Sequence, residues 1–407
     1  MKNKFLIEKL DHFGRGITRL NDKIMFVENA IDKEVVEIDI ISDKKKIMEG
    51  ISSNIIEKSP DRKDAECPYY SICGGCNIMH INYRKQLDFK LNKVSELLEK
   101  FAGISRQKIK TILPSSDFYY RNKVSFKVDK KLSFCKNKTC TLVQIDECII
   151  CSKKINEVVK VLNSLNLSNI EEVIIRTTYK DEVMVVFKVL NDIDKEYFER
   201  NLKDEIDTFI IIKDGVEEVI FGKGFITEKI GNYYFKISPT SFFQVNTTGA
   251  EKLYDIAKCY AKLSNEENVL DLYCGTGTIG IYVSDKAKSV IGIEINSEAV
   301  SDAEENKKLN GINNVSFVCK DISKVIDKYK DIDVAIIDPP RSGLVKKAME
   351  NILEISPQRI VYISCDQATL ARDLNTLKEF YEIEEITLVD MFPNTYHCES
   401  IAVLERR

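Results

Sequence analysis

The alternation of apolar and polar positions divides the chain into three regimes. From Lys4 to about Lys58 apolar residues recur at every second position, as in Lys23-Ile24-Met25-Phe26-Val27 and Glu34-Val35-Val36-Glu37-Ile38-Asp39-Ile40, with Gly14 and Gly16 punctuating the first run. Period two marks half-buried strands, and short strands between turns predict a small β-barrel. Pro60 to Glu66 reads as a polar linker. Asn82 to Phe101 then carries Leu87, Leu91, Val94, Leu97 and Leu98 at helical spacing, one amphipathic helix stopped by Gly103. Residues 111–235 read as mixed, with strands expected at 124–128, 173–177 and 183–189.

After Asn246 near-continuous apolar runs alternate with helical stretches. The runs are 269–272, 290–294, 315–318, 334–338 and 360–364, the pattern of a parallel sheet covered by helices on both faces. An α/β, Rossmann-like doubly wound domain is therefore predicted, with 388–392 and 400–404 closing its far edge. Three domains follow: a barrel over 1–58, a mixed α+β domain over 59–235, and the doubly wound domain over 236–407.

Composition narrows the setting. With 44% hydrophobic and 30% charged residues the chain suits a water-soluble fold. The first residues offer only a three-residue apolar run, against roughly 7–15 in a signal peptide, and no later stretch reaches the ~18 apolar residues of a membrane span. A cytoplasmic, monomeric protein is the expectation. Twelve cysteines then indicate free thiols, catalysis or metal rather than a disulfide framework. The net charge of −4 does not advertise nucleic-acid binding, but its distribution is uneven. Arg106, Lys108, Lys110, Arg121, Lys123, Lys127, Lys130, Lys131, Lys136 and Lys138 face only Asp117 and Asp129, with Phe118, Tyr119 and Tyr120 interleaved. Cations for phosphates and rings for unpaired bases suit single-stranded RNA; a solvated lysine-rich face fits the same residues.

Asp271-Leu272-Tyr273-Cys274-Gly275-Thr276-Gly277-Thr278 puts a glycine turn between the first strand of the doubly wound region and a helix. Backbone can approach a ligand closely there. Glu294, Asp321 and Asp338 follow the next three strands. Carboxylates suit a ribose diol and an adenine amine but repel a pyrophosphate, which favours S-adenosylmethionine over a dinucleotide. Asp338-Pro339-Pro340-Arg341 fixes a rigid turn at the same edge, and Phe242 to Asn246 either covers the cofactor or forms a core strand.

Cys365 follows the fifth strand and precedes a helical stretch whose N-terminus would stabilise a thiolate, with Asp366 pulling the other way. Glu399 opens the terminal strand. A nucleophile and a base together define a reaction. Pyrimidine C5 attacks a methyl donor only after a nucleophile adds at C6, and the C5 proton must leave before the nucleophile does.

Ser364-Cys365 followed by Ala368-Thr369-Leu370-Ala371-Arg372-Asp373, with Asp390-Met391-Phe392-Pro393 leading to His397 and Glu399, resembles the S-adenosylmethionine-dependent RNA 5-methyluridine methyltransferases, in particular their 23S ribosomal RNA branch. The resemblance implies Cys365 as C6 nucleophile, Glu399 as base, and Gln244, Tyr273, Gly275, Thr278, Glu294, Asp321 and Asp338 at the cofactor. Asp366-Gln367 departs from the family's usual Asn-Pro, Thr278 from Asn, and Ser342 from Lys. Cys67, Cys73 and Cys76 form a tight triad in search of a fourth soft ligand; Cys135, Cys140, Cys148 and Cys151 are candidates, and zinc or iron–sulfur both suit thiolates. The resemblance implies a 4Fe-4S cluster on the triad plus Cys148. It also likens Asp11 to Ile17 to a TRAM RNA-binding barrel. The function so implied is uridine C5 methylation of 23S rRNA. A tRNA substrate, an RNA cytosine C5 methyltransferase and a non-catalytic RNA-binding scaffold are the alternatives.

Overall fold

A computed structural model describes residues 4–137, 139–325 and 329–407. The chain separates into two compact units: Met1–Lys93 with Phe134–Val143 and Phe392–His397, and Val94–Ser133 with Gln144–Met391 and Cys398–Arg407. Two later segments join the amino-terminal unit because contacts, not chain order, define a compact body.

The first unit contains a six-stranded, barrel-like sheet built from Lys4–Leu6, Lys9–Leu10, Gly16–Leu20, Lys23–Glu28, Val35–Asp43 and Ile47–Glu57. Its alternating pattern turns Met25, Val27, Val36, Ile38 and Met48 inward with Ile7 and Ala30. The linker is anchored rather than loose. Arg62 Nη2 donates to the buried Glu34 carboxylate at 2.9 Å and to the Asn29 carbonyl at 2.8 Å. The amphipathic helix runs Tyr83–Ala102; Gly103, at φ +64°, closes it by donating to the Glu99 carbonyl at 3.0 Å.

The second unit holds two large sheets. In the mixed sheet, Ile170–Thr177 pairs antiparallel with Lys123–Asp129 and with Val183–Val189, which runs parallel to Thr208–Lys213. The parallel pair is bridged by the helix Lys195–Leu202, whose Phe198 packs edge-on against Phe187 at 5.1 Å.

The eight-stranded sheet carries the chemistry. Its strands in chain order are β1 (Ile109–Leu113), β2 (Asn268–Leu272), β3 (Ser289–Glu294), β4 (Val315–Cys319), β5 (Val334–Ile337), β6 (Arg359–Ser364), β7 (Tyr381–Val389) and β8 (Glu399–Arg406). The spatial order is β4-β3-β2-β5-β6-β8-β7-β1. Strands β2 to β6 are mutually parallel and β8 runs antiparallel between β6 and β7. The doubly wound expectation therefore holds. Two features at its far end differ: β7 begins at Tyr381 and stops before Asp390, and the edge strand is β1, drawn from far outside 236–407, which pairs parallel with β7. Helices Thr278–Val283, Ser297–Leu309, Lys346–Ile355 and Gln367–Leu377 connect the strands.

Candidate active site

The sheet sets the thiol and the carboxylate opposite each other. Ser364 at the end of β6 is the partner of Ser400 in β8, so Cys365 and Glu399, each one residue outward in an antiparallel pair, face across the same edge. Glu399 is also paired with Val389 of β7, and it is 5% exposed.

Burial raises the Cys365 pKa from 9.0 to about 11, with the Glu399 and Asp338 carboxyls adding to the rise and Arg341 opposing it. This reverses the expectation that the helix N-terminus would hold a thiolate. Asp366 instead caps that helix, accepting from the backbone of Ala368 at 3.1 Å and Thr369 at 2.9 Å. The departure from Asn-Pro thus preserves a helix start by other means. Gln367, buried, donates through Nε2 to the Cys398 carbonyl at 2.5 Å. Glu399 is pushed well above the ordinary glutamate range by burial and by Asp338, while Arg341 pulls it down. Asp338, desolvated, rises to about 6. One cation and three acid groups thus converge at the ends of β5, β6 and β8.

Of the residues expected at the cofactor, Tyr273, Gly275, Thr278, Glu294, Asp321 and Asp338 end or follow β2 to β5, and Gln244 lies in the segment before the helix Thr247–Ala261. Tyr273 adopts a left-handed φ of +64° and donates its N–H to the Ile293 carbonyl at 3.0 Å, a strained position of the kind that marks functional turns. Burial raises its hydroxyl to about 12. The Glu294 carboxylate accepts from the backbone of Gly275 at 3.2 Å, Ile295 at 2.8 Å and Asn296 at 2.9 Å, which joins the β2 and β3 turns. A Cβ added at Gly275 would meet nothing within 4 Å, so this turn opens onto free space, whereas one at Gly277 would lie 2.4 Å from the Phe317 ring. Thr278 shares a hydrogen bond with the Tyr254 hydroxyl at 3.1 Å, and Gln244 bonds the same hydroxyl. Asp321 caps its turn through Ser323, whose hydroxyl donates at 2.7 Å, and its pKa falls for that reason first. Residues 242–246 form neither strand nor helix; Phe243 is buried, Phe242 is 72% exposed, and Asn246 caps the helix Thr247–Ala261.

Asp271 was hidden in an apolar run. Fully buried, it accepts from the Gly280 backbone at 2.9 Å and its pKa rises to about 8 through burial. Arg341 and Gln367 stand inside quoted motifs, but only the folded sheet shows what they touch.

The cysteines divide between the units. Cys67, Cys73 and Cys76 lie in the first, where the Gly75 N–H donates to Cys73 Sγ at 3.4 Å. Cys148 lies in the second, with its thiol lowered to about 7 by a hydrogen bond from Cys151. Among the described residues no three His, Cys, Asp or Glu side chains are grouped to hold one metal ion. The soft thiols of Cys67, Cys73 and Cys76, all in the first unit, suit either zinc or an iron–sulfur cluster.

Four residues of the basic stretch are paired with acids. Lys108 bonds Glu382 at 3.0 Å, Lys110 bonds Glu385 at 3.0 Å, Lys127 bonds Glu171 at 3.2 Å and Lys131 bonds Asp146 at 3.2 Å. Exposed pairs of this kind contribute at most about 1 kcal/mol each, so phosphates can displace the carboxylates. Lys138 lies outside the described residues. No helix of the described residues is long and apolar enough to cross a membrane.

A doubly wound sheet with a glycine turn and acidic strand ends defines an α/β methyltransferase fold. A family model described as tRNA (uracil-5-)-methyltransferase matches residues 82–407, and the chain belongs to that family. It is 34% identical to an uncharacterized RNA methyltransferase of Clostridium tetani, covering 96% of this chain and 93% of the relative. It is likewise 34% identical to one from Staphylococcus aureus, covering 97% and 96%. Among solved structures, the Pyrococcus abyssi tRNA (uracil-54, C5)-methyltransferase in complex with S-adenosyl-L-homocysteine superposes with a TM-score of 0.80 at 26% identity, over 99% of this chain and 100% of that one. The protein is an RNA methyltransferase of the uracil-5 family, with S-adenosylmethionine as methyl donor.

Proposed function

We propose that the enzyme methylates C5 of a uridine in 23S rRNA, acting as a monomer, with Cys365 as nucleophile and Glu399 as base. The pairing of Ser364 with Ser400, which sets these two side chains face to face, carries this reading. The Cys365 thiolate forms a bond to C6 of an extruded uracil, and the C5=C6 electron pair moves toward C5 and O4. Bound S-adenosylmethionine supplies an electrophilic methyl group for C5. The Glu399 carboxylate then takes the C5 proton, C5=C6 re-forms, and the carbon–sulfur bond breaks to return the thiolate.

In this scheme Arg341 favours the ionised forms of both groups, opposing the burial that favours their neutral forms. Gln244, Tyr273, Gly275, Thr278, Glu294, Asp321 and Asp338 bind and orient the methyl donor. The amino-terminal barrel acts as a TRAM-like RNA contact. Cys67, Cys73, Cys76 and Cys148 hold a 4Fe-4S cluster with a structural role.

A second reading takes tRNA as substrate; it rests on the family's name and on the Pyrococcus relative. Ribosomal and transfer RNA from a strain lacking the enzyme, incubated with tritiated S-adenosylmethionine, decide between them. Label in 23S rRNA alone is expected; label in tRNA alone overturns the ribosomal assignment. Glu399→Gln should trap a covalent RNA adduct on a denaturing gel, and its absence would count against Glu399 as base.

A further inference from the structure

The first unit contains a cavity of about 590 Å³ that the methylation scheme does not use, with Cys73 and Cys76, two of the cysteines proposed above to hold the cluster, in its wall. Phe13, Arg15, Glu49, Asn77, Asn137 and Tyr396 are among its lining residues. Its size falls within the roughly 300–1,000 Å³ of small-ligand sites. Three rings cluster there: Phe13 meets Tyr396 edge-on at 5.4 Å, and Tyr396 lies 4.3 Å from His397. Phe13 is nonetheless 55% exposed, apolar surface left for something to cover.

Charge selects the occupant. Arg15 is the one Lys or Arg among the lining residues, and it is already held by Asp11 at 2.8 Å and Glu49 at 3.3 Å. Its guanidinium also sits 4.5 Å from the Phe26 ring centre. With Glu28 and Glu49 in the same wall, a phosphate would meet repulsion. A flat neutral ring with N–H donors would not. Carboxylates and amides accept from exocyclic amines, and aromatic side chains stack on any base. The Asn77 and Asn137 side-chain amides have no hydrogen-bond partner among the described residues.

We propose that this cavity receives a second unstacked nucleobase of the RNA substrate, one bearing an exocyclic amine and distinct from the uracil that is methylated. The inference rests on the function proposed above. It makes the first unit a reader of RNA sequence and not only a holder of its backbone. The chain runs from Tyr396 and His397 directly into Cys398 and Glu399, so the occupant's wall is covalently continuous with the base.

Phe13→Ala and Asn137→Ala, assayed for methyl transfer to RNA from the strain lacking the enzyme, test this directly. Each should raise the RNA KM roughly tenfold, the loss of one base stack or base-edge contact, with kcat within about twofold and iron content unchanged; Phe13→Tyr should restore KM. In parallel, wild type should protect one adenine or cytosine beyond the target from dimethyl sulfate, and Phe13→Ala should expose it again. Methyl transfer by wild type with KM and footprint unchanged in both variants overturns this inference alone. No transfer by wild type to either RNA overturns the parent reading, and this one with it.

Discussion

The buried amide of Gln367 donates to the backbone carbonyl of Cys398 at 2.5 Å, tying the residue that follows the nucleophile's turn to the residue that precedes the base. Strand pairing aligns β6 with β8 only up to Ser364 and Ser400. This hydrogen bond extends the register beyond the last ladder rung. A proline at this position, which the resemblance would lead one to expect, has no side-chain amide to make it. Gln367→Ala should cost about 1–3 kcal/mol, the penalty of leaving a buried acceptor unmade, and should lower kcat while leaving S-adenosylmethionine affinity within about twofold. Thermal denaturation and single-turnover methyl transfer check the two effects.

Cys365→Ala should abolish methyl transfer with cofactor affinity nearly intact, because the thiol bonds to the base and not to the donor. Calorimetric titration of S-adenosylmethionine alongside the tritium assay separates the two. Full activity in this variant would end the covalent mechanism.

The raised acids make the unliganded enzyme's stability fall as pH rises. Asp338 binds its proton more tightly folded, at about 6, than unfolded, at 3.8, so its contribution is fully present below about pH 4 and lost by pH 6 and above. The loss is at most about 3 kcal/mol for a shift of this size. Asp338→Asn should flatten the melting temperature between pH 4 and pH 6; an unchanged slope would show that the carboxyl is solvated.

Thiol reactivity should follow the same electrostatics. Alkylation of Cys365 by iodoacetamide, followed by peptide mass spectrometry, should have a midpoint near pH 11 in wild type. Glu399→Gln should move it down by removing a neighbouring negative charge, and Arg341→Ala should move it up. A midpoint unmoved in both variants would mean that burial alone sets it.

Two glycines in one turn should fail differently. Gly275→Ala places a methyl in open space at φ +52°, so it should cost about 1–2 kcal/mol of backbone strain and raise the S-adenosylmethionine Kd at least tenfold. Gly277→Ala drives its methyl into Phe317 at φ +77° and should destabilise the fold more than Gly275→Ala does. Chemical denaturation with and without cofactor distinguishes them.

The sequence by itself determined the doubly wound sheet, because continuous apolar runs with one polar residue at each carboxyl end have few other uses. It also determined the chemical types of the site: Glu294 and Asp338 at strand ends, Cys365 before a helix. Tertiary structure decided the rest. Strand β1 joins the sheet through pairing with a segment 276 residues further along the chain, as in Val389 with Leu113, and local periodicity holds no record of a distant partner. The Cys365 pKa was likewise not legible, since the helix that follows it argued for a thiolate. Burial beside Glu399 and Asp338 outweighs that effect, and both desolvation and through-space charge exist only once the strands have been brought together.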